Sequence, residues 1–209
     1  ANQVSIRTGT SDMQVFHDIF IWGEYGFLKP VAERITILDI GANVGYSSTY
    51  FAGIYPKCEV VAVELMHSNF EQLSRNTTFL GNRIRTIEAA VWSHNDGVSI
   101  ADDTFRDGDA WSHHASEAKH GKSLVPSITM FDLMQKHAMP RVNICKIDIE
   151  GFDRLVVDTI CDLKVKPNYV SFENGAARDF EVLADAGYSA FQLVEQSCIP
   201  KIKLPKPSL

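Results

Sequence analysis

Cysteine is scarce and never paired. Cys58, Cys145, Cys161 and Cys198 lie far apart with no C-x-x-C, so neither a disulfide framework nor a cysteine zinc site is spelled out. Three of them sit in or beside apolar runs, which reads as buried free thiols and fits a reducing cytoplasm. Basic charge is also short. Lys and Arg number 20 against 26 Asp and Glu, a net charge of −6, which argues against a surface built to neutralise nucleic-acid phosphates or anionic lipid. No apolar run approaches the ~20 residues needed to cross a bilayer. The opening "ANQVSIRTGTSD" lacks both an initiator Met and the basic-then-apolar build of a signal peptide, which reads as a chain processed or excised from something longer. No internal repeat, low-complexity tract or Gly/Ser linker divides it.

What is present is material for a core. The 209 residues are 45% hydrophobic and 10% aromatic, enough for one sizeable α/β domain. Helical spacing of Val15, Phe16, Ile19 and Phe20 predicts a helix over about 12–22, opened by a Ser11/Gln14 capping box. Buried strands "RITILDI" and "CEVVAVEL" flank the helical "VGYSSTYFAGIY". Ser68 and Glu71 then predict a second capped helix ending near Gly81. "IRTIEAAVW", "GVSIA", "RVNICKIDI", "NYVSFEN" and "SAFQLVE" read as further strands, with helices after Thr129, over about 151–160 and over "ARDFEVLADAG". Residues 102–123 show no period and read as a long loop. The tail "CIPKIKLPKPSL" has room for one last short edge strand.

Strands alternating with helices predict a parallel sheet with helices on both faces, which binds ligands at the carboxyl ends of its strands. Those ends carry Asp39–Gly45, Glu64, Ala89–Trp92 and Asp148–Glu150, with Glu173 and Asn174 beside them. In "LDIGANVGYS" a strand stops on Asp39 and a helix opens after Gly41-x-x-x-Gly45. Glycine there admits unusual backbone angles and lets a ligand lie against the main chain. Glu64, at the next strand end, can accept both hydroxyls of a ribose. The spacing is not the G-x-G-x-x-G of a pyrophosphate site, and Asp39 repels phosphate. S-adenosylmethionine fits both facts, with a ribose, no phosphate, an ammonium and a sulfonium. A plain strand-to-helix turn fits the glycines as well, and Asn43 reads equally as a turn-forming residue.

The segments "SDMQVFHDIF…GEY", "ILDIGANVGYSS", "VVAVEL…NFEQLSRN", "IEAAVW", "SITMFDLM" and "ICKIDIEGFD" occur in the order found in FkbM-type S-adenosylmethionine-dependent methyltransferases. The chain resembles that family from about residue 7 to about 195. The resemblance implies a Rossmann-like α/β fold with a mostly parallel seven-stranded sheet. It also implies methylation of a hydroxyl, often on a sugar or secondary metabolite. Residues 1–30 would be a helical segment packed on a methyltransferase domain over 31–209. Asp39, Gly41, Asn43 and Gly45 would line the methionine end of the cofactor, Glu64 would hold the ribose, and Ala89 and Ala90 would meet the adenine. The family has Glu-Pro after strand two, where this chain has Glu64-Leu65.

In "KIDIEG", strand alternation puts Lys146, Asp148 and Glu150 on one face. They are either an ion-pair cluster holding a loop or catalytic groups, with Asp148 beside the transferable methyl and Glu150 near the acceptor hydroxyl. Asp148, Glu173 and Asn174 together offer oxygen ligands suited to Mg²⁺. His113, His114 and His120 lie in the long loop with Arg106 and Trp111, as a lid supplying a base and a stacking surface or as a polar loop without a role. His17, His67, His94 and His137 read as surface residues. Phe16, Phe20 and Trp22 read as packing, although their segment can instead roof the pocket. The expected partner is a small-molecule hydroxyl acceptor, with no nucleic acid and no membrane. A non-catalytic binding module of the same fold and a nucleotide-dependent oxidoreductase are the rival readings.

Overall fold

The computed structural model describes residues 3–28, 33–100, 115–116, 124–149, 152–173 and 177–194. A short helix α1 (Asp12–Phe16) continues as one π-type turn over His17–Ile21. Next, β1 (Thr36–Ile40) feeds α2 (Tyr46–Ile54) and β2 (Glu59–Glu64) feeds α3 (His67–Thr77). A 3₁₀ stretch over Thr78–Arg83 leads into β3 (Ile84–Glu88). Five short strands follow: β4 (Ala90–Val91), β5 (Val98–Ile100), β6 (Ala115–Ser116), β7 (Leu124–Val125) and β8 (Ser127–Ile128). The chain continues through α4 (Met130–Lys136), β9 (Ile144–Ile147), α5 (Asp153–Cys161), β10 (Tyr169–Phe172) and α6 (Ala177–Asp185).

The main sheet is parallel and runs β10-β9-β1-β2-β3. Its central strands are continuous runs of Val, Ile and Leu because both faces are covered. Ile37, Val60 and Ala62 pack on one side with Tyr46, Phe51 and Leu73 of α2 and α3. Leu38, Val61 and Val63 pack on the other with Met130, Val156 and Ile160 of α4 and α5. β1 is bordered by its successor β2 and by β9 from the far half of the chain, so the strand order reverses there. The crevice outside that reversal is where such a sheet takes a ligand.

Among the described residues the main sheet has five strands, not seven. "IRTIEAAVW" breaks at Ala89, and β4 leaves the sheet to pair in parallel with β8. β5 joins β6 and β7 in a small antiparallel sheet. In "SAFQLVE", residues 189–194 form no strand, and Phe191 and Leu193 are 46% and 83% exposed. Phe191 meets the Phe180 ring edge-on, with centroids 5.6 Å apart, and Leu193 stands in solvent, so the segment lacks the packed face that a further strand needs. The proline tail lies outside the described residues.

Neither expected capping box forms. Ser11 makes no side-chain cap, and Asp12 turns inward to bind the Arg7 guanidinium. Ser68 lies inside α3, whose start is set by Met66 donating its N–H to Glu64 Oε1 at 2.8 Å. Thr129 does cap α4, accepting from the Asp132 N–H at 3.1 Å.

The N-terminal segment is latched across α3. Arg7 donates to Asp12 and to Asn69 Oδ1, Ser5 donates to Asn76 Oδ1, and the Tyr46 hydroxyl donates to the Ser5 carbonyl. Burial pushes the Asp12 carboxyl up, but the Arg7 bonds outweigh it and hold it below the usual carboxylate range. Phe16 and Phe20 close on Tyr46 with ring centroids 5.6 and 6.2 Å away. This latch holds the π-type turn over the sheet's ligand crevice. No helix among the described residues is long and apolar enough to cross a membrane.

Candidate functional site

The glycine turn is shaped by its protein neighbours. Gly41 has φ +73°, and a Cβ on it would stand 1.8 Å from the Asp148 carbonyl oxygen. The Gly41 and Ala42 N–H groups both donate to the Val63 carbonyl at 3.0 Å, which folds the turn onto β2. Gly45, at the start of α2, has φ +86°, and a Cβ there would stand 2.7 Å from Leu73 Cδ1. Glycine at these positions therefore makes room for β9 and α3. Asn43 also sits at positive φ, +49°, and its N–H donates to Glu64 Oε2 at 2.9 Å.

Asp39 lies beneath this turn at 0% exposure, sealed from the crevice. Its Oδ2 accepts from the Ser47 and Ser48 hydroxyls at 2.7 and 2.6 Å, tying the end of β1 to the first turn of α2. Its Oδ1 makes no hydrogen bond and is met by Lys146 Nζ as an ion pair at 3.4 Å. Lys146, 3% exposed, also pairs with Asp148 Oδ2 at 3.2 Å and donates to the Gly41 carbonyl at 2.7 Å. Burial pulls the Lys146 ammonium down, but Asp148 and Asp39, with Tyr25 and Glu24 behind them, leave it well above its usual value. Lys146 is a fixed cation and no proton acceptor at neutral pH.

Over the ends of β1, β2 and β9 lies a cavity of about 370 Å³. Of the residues expected from sequence, it is lined by Gly41, Asn43, Glu64, Lys146, Asp148 and Glu173, and at its far end by Ala89 and Ala90. Asp39 and Gly45 do not line it, because one is sealed under the turn by the two serines and the other is packed on α3. Glu150 and Asn174, and the histidines of the long loop, lie outside the described residues. The roof is Gln14, Asp18 and Trp22 from the N-terminal segment, and the far wall holds Trp92 and Phe152 with ring centroids 5.2 Å apart.

The cavity is acidic. Among the described residues five carboxylates line it (Asp18, Glu24, Glu64, Asp148 and Glu173), against the single cation Lys146. Burial raises the Glu64 carboxyl, and the Met66 and Asn43 amides draw it partly back. Burial also raises Asp18, whose Oδ1 is enclosed without a hydrogen-bond partner. Behind the end of β9, burial with Asp148 nearby pushes Asp153 up to about 6. Asp148 engages Lys146, and among the described residues no group of three or more His, Cys, Asp or Glu is arranged to hold a metal ion. The Mg²⁺ expectation gains no support. Sequence reasoning missed Asp18, Glu24 and Asp153. For Asp18 a signal exists: a carboxylate amid Val15, Phe16, Ile19 and Phe20, one helical turn after Gln14, breaks an otherwise apolar stretch.

A family model described as the methyltransferase FkbM domain matches residues 39–196. Fibrillarin from Aeropyrum pernix, solved in complex with natively bound S-adenosyl-L-methionine, is similar in fold. Its TM-score is 0.53 at 14% identity, covering 88% of this chain and 72% of that one. A precorrin-6y C5,15-methyltransferase from Geobacter metallireducens gives a TM-score of 0.48 at 13% identity, over 89% of this chain and 76% of that one. A methyltransferase FkbM from Methylobacillus flagellatus gives 0.45 at 16% identity over 71% of this chain, which spans 35% of that structure. No curated protein sequence matches the chain.

Proposed function

The chain belongs to the FkbM methyltransferase family, and from that premise we propose that it transfers a methyl group from S-adenosylmethionine to a hydroxyl oxygen of a small molecule, on a sugar or secondary-metabolite scaffold. The observation that carries the reading is the charge of the cavity at the strand reversal. Among the described residues five carboxylates line it, and the one lysine is already held by Asp39, Asp148 and the Gly41 carbonyl. Such a lining suits a cationic ligand and repels a pyrophosphate, which disfavours a nicotinamide cofactor.

The residues fit the parts of the cofactor. Glu64 lines the cavity, and each of its oxygens accepts one backbone N–H and has a second lone pair, which matches the two hydroxyls of a ribose. Ala89 and Ala90, which line the cavity beyond the end of β3, would meet the adenine. Bound S-adenosylmethionine supplies an electrophilic methyl on sulfur. The protein's share is then to align the acceptor oxygen, exclude water and take one proton. Asp148, its side chain 35% exposed to the cavity, orients the acceptor hydroxyl or accepts that proton. Lys146 positions Asp148 and the turn and does not exchange a proton.

Methyl-labelled S-adenosylmethionine offered with hydroxyl acceptors (sugars, phenols, polyketide alcohols) and with amines tests the reaction. Label is expected on hydroxyls, and Asp148→Asn should abolish most of the transfer. Label on amines alone would sink oxygen specificity. The non-catalytic alternative keeps one argument: Asp39, Gly41 and Gly45 hold the fold together, so an inactive copy would retain them too. Binding of S-adenosylmethionine without transfer to any acceptor class would favour it.

A further inference from the structure

One aromatic ring of the N-terminal segment is not taken up by the core. Phe16 and Phe20 close on Tyr46, and Tyr25 packs against Phe51 with centroids 5.1 Å apart. Trp22, by contrast, is 43% exposed and lines the cavity. Its one ring contact among the described residues is with His17, at 4.7 Å between centroids and 79° between planes. A single such contact covers at most one face of the indole. The ring is nevertheless held in place. The Trp22 N–H reaches back to the His17 carbonyl at 2.9 Å and closes the π-type turn, a form of helix frequent at functional sites. An indole fixed at a cavity wall with a face open is a surface for a flat ligand.

Its position selects which ligand. Glu24 and Tyr25, which follow it, line the same cavity and act on the charge of Lys146, so this stretch lies over the ends of β1 and β9, on the Asp148 side. The nucleoside of the cofactor belongs at the other end, with Glu64, Ala89 and Ala90. Its amino-acid end is acyclic and charged and offers no flat face to an indole. The acceptor does have to reach Asp148. Charge narrows it further. Among the described residues the single cation of the lining, Lys146, is already held by Asp39, Asp148 and the Gly41 carbonyl, so a phosphate or carboxylate on the acceptor finds no free counter-charge there.

We propose that Trp22 is the stacking platform of the acceptor site, and that the acceptor is an uncharged ring alcohol, a pyranose or a phenol, laid flat on the indole with its hydroxyl toward Asp148. The inference rests on the methyltransferase reading above and names its substrate class. The π-type turn, and the Arg7 and Ser5 latches that hold its segment across α3, are then positioning contacts for acceptor recognition.

The test offers methyl-labelled S-adenosylmethionine with methyl glucoside, catechol, the acyclic polyol sorbitol and glucose 6-phosphate. Label should enter methyl glucoside or catechol, and the one that takes it decides between sugar and phenol. On that acceptor Trp22→Ala should raise KM roughly tenfold or more with kcat within about twofold, and Trp22→Phe should bring KM back to within about threefold of wild type. S-adenosylhomocysteine affinity, read by calorimetry, should not change in either variant. Preference for sorbitol or glucose 6-phosphate overturns the proposal, as does a KM that Trp22→Ala leaves unmoved. Equal weakening of S-adenosylhomocysteine also overturns it, because it marks a collapsed roof. If wild type binds S-adenosylhomocysteine and methylates neither ring alcohol, the acceptor class is wrong. If it does not bind S-adenosylhomocysteine, the cofactor reading itself fails and the platform falls with it.

Discussion

Replacing Gly41 by alanine separates a glycine kept for the fold from one kept for a ligand. Two costs add in the folded protein before any ligand is present. The left-handed conformation at φ +73° costs an alanine about 1–2 kcal/mol. The new methyl would also stand 1.8 Å from the Asp148 carbonyl oxygen, which is backbone and cannot rotate away. Asp148 is pinned in turn, its N–H donating to Ile40 at 3.1 Å, so relief requires parting β1 from β9. Overpacking of this kind adds about 1–3 kcal/mol, for a total of about 2–5 kcal/mol. At this chain length that lowers the melting temperature by roughly 4–20 °C. Two controls isolate the contact. Gly9, at φ +76° with nothing within 4 Å of an added Cβ, should lose only the conformational cost. Gly53 in α2, equally open and without positive φ, should gain up to about 1 kcal/mol on becoming alanine. Thermal and urea unfolding of the three ligand-free variants decides it. If Gly41→Ala costs no more than Gly9→Ala, the close approach of β9 is not why glycine stands there.

Lys146→Met should cost about 3–5 kcal/mol, because Asp39 would remain buried without its cation. In a denaturation cycle with Asp39→Asn the double variant should lose less than the two single losses combined, and simple additivity would show that the pair does not couple. Asp153 supplies a pH signature. Its folded value of about 6 lies above the 3.8 of an ordinary aspartate, so the folded state holds that proton more tightly and loses stability as pH rises through this window. Asp153→Asn removes the titration and should gain up to about 3 kcal/mol on wild type between pH ~4 and ~7.5. A melting-temperature difference that stays flat with pH would contradict it.

The parallel sheet was legible because strands covered on both faces must be continuous runs such as "TILDI" and "EVVAVE". The crevice was legible as well, since strand ends at a reversal of order gather ligands in any sheet of this type. The reasons behind single residues were harder to read. Gly41 and Gly45 answer to Asp148 and Leu73, neighbours brought together only by the fold, so spacing alone suggested a ligand. Asp39 looked available for a cation because nothing local shows that Ser47, Ser48 and Lys146 would consume it. The capping boxes failed for a similar reason: Asp12 and Glu64 made stronger bonds elsewhere. Alternation did place Lys146 and Asp148 on one face, and the structure joins them at 3.2 Å.

The cavity at the strand reversal is tested most directly by its two tryptophans. Trp22 stands in its roof and Trp92 in its far wall, and the third tryptophan, Trp111, lies outside the described residues. Titrating isotope-labelled protein with S-adenosylhomocysteine, with indole signals assigned from Trp22→Phe and Trp92→Phe, reports on both ends at once. Saturable one-to-one shifts of both indoles, with no response to NAD, are the predicted result. An absence of binding, or binding that leaves both indoles unmoved, would contradict the assignment of this cavity to the cofactor.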